Sequence, residues 1–170
     1  IVGGGTMGIG IAVCALKAGF NVVLLERTLA ESARARAGIE AGLQAFVERD
    51  RMTSSDHTAA RQRLVTDTDY ACLSTTELII EAVFEDMEIK KEVFQRLDEH
   101  APNGTILATK TSYLNTDEIA AVTSRPEDVI GLHFFSPAQL MRLLEVVKGE
   151  KTDSHVVATC LAFARRLDTV

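Results

Sequence analysis

Three glycines close to the N-terminus have the spacing of a phosphate-binding turn. Gly3, Gly5 and Gly8 fit the pattern G-x-G-x-x-G, and an apolar stretch beginning near Thr6 or Met7 follows as a predicted helix. The first glycine permits a tight bend, the second lets the backbone approach a pyrophosphate, and the third lets the helix pack closely on a strand. The free N–H groups at the start of that helix would face the phosphates. Glycine runs are also common in ordinary turns, so the motif needs support from elsewhere in the chain.

A carboxylate at the end of the next predicted strand supplies that support. Residues 21–25 are almost continuously apolar, and Glu26 follows them close to the separation of about 20 residues expected of a ribose-binding acid. A carboxylate at this place accepts hydrogen bonds from the adenosine ribose hydroxyls and repels a 2′-phosphate. The glycines and Glu26 together therefore predict NAD, rather than NADP, as the cofactor.

His133 and Glu145 are the residue types that acid–base chemistry on an alcohol requires. Oxidising a secondary alcohol needs a base for the hydroxyl proton while a hydride leaves for the nicotinamide. An imidazole titrates near neutral pH, and His133 lies at the carboxyl end of a predicted strand, where open α/β sheets bind ligands. Glu145 is a charge inside an apolar strand, which is unusual unless the charge is paired. A satisfied core histidine and an edge-strand carboxylate facing water are the alternative interpretations.

The elements that must position these residues alternate along the chain. Predicted strands lie at 21–26, 64–67, 77–83, 105–109, 128–134, 143–147 and from about 169. Predicted helices lie at 6–18, 29–51, 54–64, 88–99, 117–122 and 153–167. Ser54 or Ser55 is the predicted cap of the third helix. This alternation predicts a Rossmann-like, doubly wound α/β fold with a mostly parallel sheet, and residues 1–170 are predicted to form one dinucleotide-binding domain.

Composition argues against several other classes of function. A chain of 170 residues with 46% hydrophobic residues buries a sizeable core, and a net charge of −6 argues against nucleic acid as a partner. No apolar run reaches the roughly 18 residues of a membrane span, and no signal peptide is visible. The four histidines lack metal-ligand spacing. Three scattered cysteines predict reduced thiols in an intracellular, reducing compartment.

Six segments occur in the order and spacing of one known family. They are residues 3–8 (GGGTMG), 80–85 (IEAVFE), 90–94 (KKEVF), 111–112 (TS), 131–137 (GLHFFSP) and 144–147 (LEVV). Together they resemble the NAD-binding domain of L-3-hydroxyacyl-CoA dehydrogenases over nearly the whole chain. The segment from His133 to Met141 is more similar to multifunctional fatty-acid oxidation enzymes, in which this domain follows a hydratase/isomerase domain. The resemblance implies NAD-dependent oxidation of L-3-hydroxyacyl-CoA to 3-ketoacyl-CoA in fatty-acid β-oxidation.

The resemblance also implies roles for individual residues in catalysis. The family residue that matches His133 is the acid/base, and the one that matches Glu145 orients it and stabilises its charged form. Ser112 matches a serine whose hydroxyl donates to the substrate oxygen and touches the nicotinamide side. An ordinary turn serine is the alternative for Ser112, because serine is common in turns.

Three charged residues match binding positions of the family. Glu85 and Lys90 match residues that contact the ribose and nicotinamide part of the cofactor. Arg49, on the predicted long helix, has roughly the place of a basic residue that meets the phosphates of coenzyme A, which basic groups must neutralise. Solvated surface charge is the alternative interpretation for all three side chains.

The sequence also departs from the family pattern. Lys110 stands where the family usually has asparagine, and a cation beside the nicotinamide pocket would disfavour the oxidised, positively charged ring. Only Ile1 and Val2 precede the first glycine, so the first strand is expected to be clipped. The chain is expected to be a fragment without the family's helical C-terminal domain, which supplies dimer contacts and an asparagine that helps to hold the carbonyl group of the acyl-CoA substrate.

Two other classes of function stay open on these observations. A non-catalytic dinucleotide-binding module would retain the fold and lose turnover, and Lys110 favours it. A different NAD-dependent hydroxyacid dehydrogenase would use a lysine in catalysis, but the histidine and glutamate at positions 133 and 145 fit that class poorly.

Overall fold

The computed structural model describes residues 1–168, and its centre is a twisted, mostly parallel sheet. The strands are β1 (Val22–Leu25), β2 (Leu64–Asp67), β3 (Leu78–Glu81), β4 (Ile106–Thr109), β5 (Val129–Phe134) and β6 (Leu144–Val147). The helices are α1 (Thr6–Lys17), α2 (Leu29–Val47), α3 (Ser54–Gln62), α4 (Met87–His100), α5 (Thr116–Ala120) and α6 (Ser154–Arg166). Short 3₁₀ turns at Tyr70–Leu73 and Pro126–Asp128 complete the order.

Val2 takes the place of a first strand in the middle of the sheet. It bridges Leu25 of β1 on one side and Glu81 of β3 on the other, both in parallel. This bridge joins the β1–β2 pair to the four strands in the order β3-β4-β5-β6. Only β6 runs antiparallel to its neighbour. The predicted Rossmann-like, doubly wound sheet is therefore confirmed.

Side chains alternate between the two faces of the sheet, and each face is covered by helices. Ile80 packs in a cluster with α1 and α6, whereas its neighbour Ile79 packs with α4 and α5 on the other face. A third cluster joins α1, α2 and α3 to β1, with Leu24 and Ile39 fully buried. Burial on both faces explains why the central strands are almost continuously apolar in sequence.

Several predicted boundaries were wrong by a few residues. Thr53, rather than Ser54 or Ser55, caps α3, because its hydroxyl oxygen accepts the N–H of Asp56. Helix α2 ends at Val47, so Arg49 lies in the following turn and not on the long helix. Asp50 then adopts a left-handed φ of 53°, a conformation that aspartate tolerates better than most residues. The strand predicted from residue 169 lies outside the described residues.

Candidate active site

The carboxyl ends of the parallel strands meet at one edge of the sheet. Open α/β sheets bind their ligands at this edge, in the crevice where the strand order reverses. Here the reversal lies between β1 and β3, on either side of Val2. The glycine turn follows Val2 directly, the loop after β3 lies beside it, and Glu85 of that loop contacts the loop after β4.

The glycine turn has the shape that its spacing predicts. Gly3 has a φ of +95°, and a Cβ there would lie 3.0 Å from the carbonyl oxygen of Ala82. A Cβ on Gly8 would lie 1.8 Å from the carbonyl oxygen of Gly3, so the helix packs too closely for any side chain. A Cβ on Gly5 would meet nothing within 4 Å. The turn therefore leaves open space at Gly5, directly in front of the helix N-terminus, where a pyrophosphate would fit.

Thr6 and Met7 begin α1 behind this open space. Gly5 is the N-cap of the helix and gives it no side-chain cap, so no side chain of the cap residue covers the first N–H groups. Thr6 is exposed and Met7 is half-buried. These residues fit a bound dinucleotide because helix N–H groups and the positive end of the dipole attract phosphate.

Glu26 lies beside the glycine turn, as the sequence predicts. Its Oε1 accepts the N–H of Gly4 at 2.6 Å, and its Oε2 accepts the N–H of Arg27 at 3.2 Å. Gly4, between the first two glycines of the motif, also has no room for a side chain, because a Cβ on it would lie 2.9 Å from the Glu26 carboxylate and 2.4 Å from Ala35. The Glu26 carboxylate is thus held against the turn by a hydrogen bond from a main-chain N–H.

His133 and Glu145 form a hydrogen-bonded pair across the antiparallel strands β5 and β6. The register places the two residues directly opposite each other, and His133 Nδ1 lies 2.7 Å from Glu145 Oε2. The His133 side chain is 18% exposed and that of Glu145 is 53% exposed. The His133 ring also packs on Phe135, with ring centroids 4.5 Å apart. Glu145 is therefore both paired and on an edge strand, so each of its two interpretations is partly correct.

Lys90 is buried among carboxylates, so its interpretation as surface charge was wrong. Its Nζ donates to both oxygens of Glu81 at 2.8 Å and to the carbonyl oxygen of Lys110 at 2.9 Å. A second carboxylate, that of Glu85, lies 3.5 Å from the same Nζ. Burial raises the pKa of the Glu81 carboxyl, and the Lys90 ammonium opposes that rise. Lys90 therefore lies at the carboxyl edge of the sheet with its ammonium buried, and it does not face solvent.

Glu85 ties the loop after β3 to the loop after β4. Its Oε1 accepts the hydroxyl of Thr111 and, at 2.8 Å, the N–H of Ser112. Partial burial raises the pKa of Glu85, but the hydrogen bonds from Thr111 and Ser112 outweigh it, and with the charges of Lys90 and Lys110 they hold the pKa below its usual value. Lys110 Nζ lies 3.5 Å from Ser112 Oγ. Ser112 is exposed, so its hydroxyl and the Lys110 ammonium share one side of the edge.

A basic cavity of about 370 Å³ lies between the ends of α1, α2 and α6 and the loop that precedes β6. Four cations line it, namely Lys17, Arg51, Arg142 and Arg166. Arg49 is exposed two residues before Arg51 and does not line the cavity. Sequence reasoning missed these four side chains because they come from four separate segments. Basic residues in the last turns of three predicted helices, namely Lys17, Arg51 and Arg166, were the available signal.

Each helix within residues 1–168 is too short or too polar to span a bilayer. Within the same residues, no group of three or more histidine, cysteine, aspartate and glutamate side chains is placed to hold a metal ion.

The sheet order, the glycine turn and Glu26 define a Rossmann-type dinucleotide-binding domain. Residues 1–170 match the family model of the 3-hydroxyacyl-CoA dehydrogenase NAD binding domain. The chain belongs to this family, and NAD is confirmed as the predicted cofactor.

Individual relatives agree with the family. The chain is 41% identical over 157 residues to the 3-hydroxyadipyl-CoA dehydrogenase of Escherichia coli K12, covering 92% of the chain and 33% of that protein. It is 38% identical over 167 residues to the fatty acid oxidation complex subunit alpha of Shewanella amazonensis, covering 98% and 24%. It superposes on the crystal structure of 3-hydroxybutyryl-CoA dehydrogenase from Escherichia coli K12 with a TM-score of 0.95 and 38% identity, covering 99% and 36%. The chain thus spans between a quarter and about a third of these relatives.

Proposed function

We propose that the protein containing this chain oxidises L-3-hydroxyacyl-CoA to 3-ketoacyl-CoA with NAD. The observation that carries the proposal is the 2.7 Å contact between His133 and Glu145 at the edge of the sheet where ligands bind. The names of the relatives, which are hydroxyacyl-CoA dehydrogenases and a fatty acid oxidation subunit, support the same substrate class. The proposed substrate of the whole protein is therefore an acyl-CoA.

Acid–base catalysis by His133 follows from the direction of its ring. With Nδ1–H donated to the Glu145 carboxylate, Nε2 is the nitrogen that takes the substrate hydroxyl proton. The carboxylate then stabilises the positive charge on the ring. The Ser112 hydroxyl donates to the substrate oxygen, and Glu85 holds Ser112 in place through its N–H. When bound, NAD supplies the hydride acceptor.

The proposed cofactor contacts are those that the sequence predicts, except that Lys90 acts indirectly. Gly3, Gly5 and Gly8 with Thr6 and Met7 would hold the pyrophosphate, and Glu26 would hold the adenosine ribose. Glu85 and Ser112 lie at the opposite end, where the nicotinamide would bind. Lys90 acts there through Glu85 and the Lys110 carbonyl, because its own Nζ is buried.

Phosphate groups of coenzyme A would bind close to the C-terminal end of α2. Arg49 is the predicted contact, and Arg51 brings a second cation to the cavity that Lys17, Arg142 and Arg166 also line. One carboxylate in that cavity, Asp168, pairs with Arg142 at 2.6 Å. Basic groups exceed acidic ones around this cavity, as binding of phosphates requires.

The proposal also covers the type of enzyme that contains the domain and the compartment in which it works. We place it in a multifunctional enzyme of a reducing compartment, beside a helical domain that forms the dimer. Similarity to the fatty acid oxidation complex subunit alpha supports the first part. The cysteines support the second, since Cys14, Cys72 and Cys160 are all free of disulfide bonds.

A non-catalytic dinucleotide-binding module is the second candidate. The Lys110 ammonium, 3.5 Å from Ser112 Oγ, favours it because the cation occupies space beside the proposed substrate oxygen. The two candidates differ in turnover and agree in cofactor binding.

Replacing the histidine tests the proposal directly. In the full-length protein, His133→Gln should reduce acetoacetyl-CoA reduction by about 10²- to 10⁴-fold, the usual contribution of acid–base catalysis, with NADH affinity nearly unchanged. His100→Gln, on the opposite side of the domain at the end of α4, is the matched control. The 170-residue chain alone should bind NADH with poor turnover. Near-normal turnover by His133→Gln would disprove the acid/base assignment, and cofactor binding without turnover in the wild type would establish the module.

A further inference from the structure

Glu81 is a fully buried carboxylate at the point where three loops of the proposed cofactor site meet. Its exposed fraction is zero, as is that of Lys90, its partner. Neither the sequence motifs nor the acid–base mechanism accounts for a charge at this position. A buried carboxylate is costly unless it is paired and hydrogen-bonded, so its contacts show what the charge does.

Glu81 is hydrogen-bonded to two of these loops and lies beside the start of the third. Its Oε1 accepts the N–H of Val83 at 2.7 Å, which fixes the loop after β3. Its Oε2 accepts the hydroxyl of Thr109 at 2.7 Å, and its main-chain oxygen accepts the N–H of Lys110 at 2.8 Å, which fixes the loop after β4. Its backbone bridges Val2, the residue before the glycine turn.

Glu81 also determines where the Lys90 ammonium lies. Two bonds of 2.8 Å to Glu81 keep Nζ at 3.5 Å from Glu85. Glu85 is then left to accept the hydroxyl of Thr111 and the N–H of Ser112. Without the Glu81 charge, Lys90 would have Glu85 as its remaining carboxylate and would compete with Ser112 for it.

We propose that Glu81, through Lys90, is a positioning residue that holds Glu85 and Ser112 in place and favours the oxidised form of the cofactor. The proposal rests on the function proposed above, which places the nicotinamide beside Ser112. Two carboxylates, Glu81 and Glu85, and two cations, Lys90 and Lys110, balance at this end of the site. Removal of one buried negative charge makes the site more positive, and buried charges are only partly screened by salt. The oxidised ring is positive and the reduced ring is neutral, so the two forms respond differently.

The test measures dissociation constants for NAD and NADH on the same variants. Glu81→Gln should weaken both cofactors and raise the ratio of the NAD constant to the NADH constant by about fivefold. Glu77→Gln makes the same change of charge at an exposed position just before β3, at the opposite edge of the sheet, and it should leave both constants unchanged. A purely structural Glu81 would weaken NAD and NADH equally, and that result would overturn the proposal.

A double variant keeps the positioning role testable even if Glu81→Gln does not fold. Glu81→Gln with Lys90→Met removes both buried charges, which proteins often tolerate better than one unpaired charge. The ratio should return to the wild-type value, while both cofactors still bind several-fold more weakly because the contacts of the Lys90 ammonium with Glu85 and with the Lys110 carbonyl oxygen are lost. Wild-type affinities in the double variant would overturn the positioning role. If the wild-type chain binds neither NAD nor NADH, the proposed function fails instead.

Discussion

The two ends of the proposed cofactor site are built in different ways. At the adenosine end, the contacts come from main-chain groups of the glycine turn and from one carboxylate, Glu26. At the nicotinamide end, charged and polar side chains meet in pairs, such as His133 with Glu145 and Lys90 with Glu81. A site made of backbone is constrained by shape, whereas a site made of side-chain pairs is constrained by charge. Substitutions at the two ends should therefore affect cofactor affinity and turnover differently.

The largest expected effect is at the catalytic pair. In the full-length protein, Glu145→Gln should lower turnover by about 10²-fold, because an amide does not stabilise the charged ring of His133. NADH affinity should change little, since Glu145 lies across the sheet from the glycine turn. Initial rates of acetoacetyl-CoA reduction with NADH titrations measure both quantities. Glu150→Gln, an exposed glutamate after β6, is the control, and equal rates for the two variants would show that the pair is not catalytic.

At the adenosine end, the carboxylate should determine the choice of cofactor. Glu26→Ala removes an acceptor for the ribose hydroxyls and a repulsion against a 2′-phosphate, so NAD should bind more weakly and the gap to NADP should narrow. Loss of a charged hydrogen bond costs roughly 1.5–3 kcal/mol, which is about 10- to 150-fold in affinity. Parallel titrations with NADH and NADPH measure the change. Unchanged affinity for both would show that Glu26 does not face the ribose.

Shape alone should matter at the second glycine. Gly5 has an ordinary φ of −71° and open space around its absent Cβ, so Gly5→Ala should fold with an unchanged thermal midpoint. The added methyl group would still occupy the approach to the pyrophosphate, and NADH affinity should fall by about tenfold. Gly104→Ala gives a contrast, because Gly104 has a φ of +81° and lies in a turn away from the site. It should lower the thermal midpoint and leave NADH affinity intact; the opposite pattern would contradict the assignment of the turn.

The same difference explains how much the sequence predicted. Gly3 and Glu26 were recognised by their spacing because only α1 and β1 lie between them, and these two elements fix the separation of the two residues in sequence. The pairing of His133 with Glu145 depends on an antiparallel register between two strands, and the expectation of a pair came from the family resemblance. The burial of Lys90 was missed, since other charged residues at the start of α4, such as Glu88 and Glu92, are exposed and only the packing of the helix on the sheet brings Lys90 to Glu81. Contacts that depend on strand register or on the packing of a helix are not visible in local sequence patterns.

The smallest expected effect concerns Lys110, which stands at the nicotinamide end. Its ammonium lies 3.5 Å from Ser112 Oγ and adds a positive charge beside Glu85. Lys110→Asn should strengthen NAD relative to NADH by about threefold, since a partly exposed charge is screened by solvent and salt. This shift is opposite in sign to that expected of Glu81→Gln. The wild-type ratio of the NAD and NADH dissociation constants should therefore lie between those of the two variants.

Lys148→Asn, a change of charge at an exposed position just after β6, is the matched control for Lys110→Asn. The measurements are NAD and NADH dissociation constants for the chain, with 3-hydroxyacyl-CoA oxidation by the full-length protein as a second readout. Oxidation should rise together with relative NAD affinity, because the same cation opposes the positive ring and crowds the substrate oxygen. If Lys110→Asn leaves both the NAD/NADH ratio and the oxidation rate at wild-type values, the Lys110 charge lies too far into solvent to act on the ring. The charge balance at this end would then depend on Glu81, Glu85 and Lys90 alone.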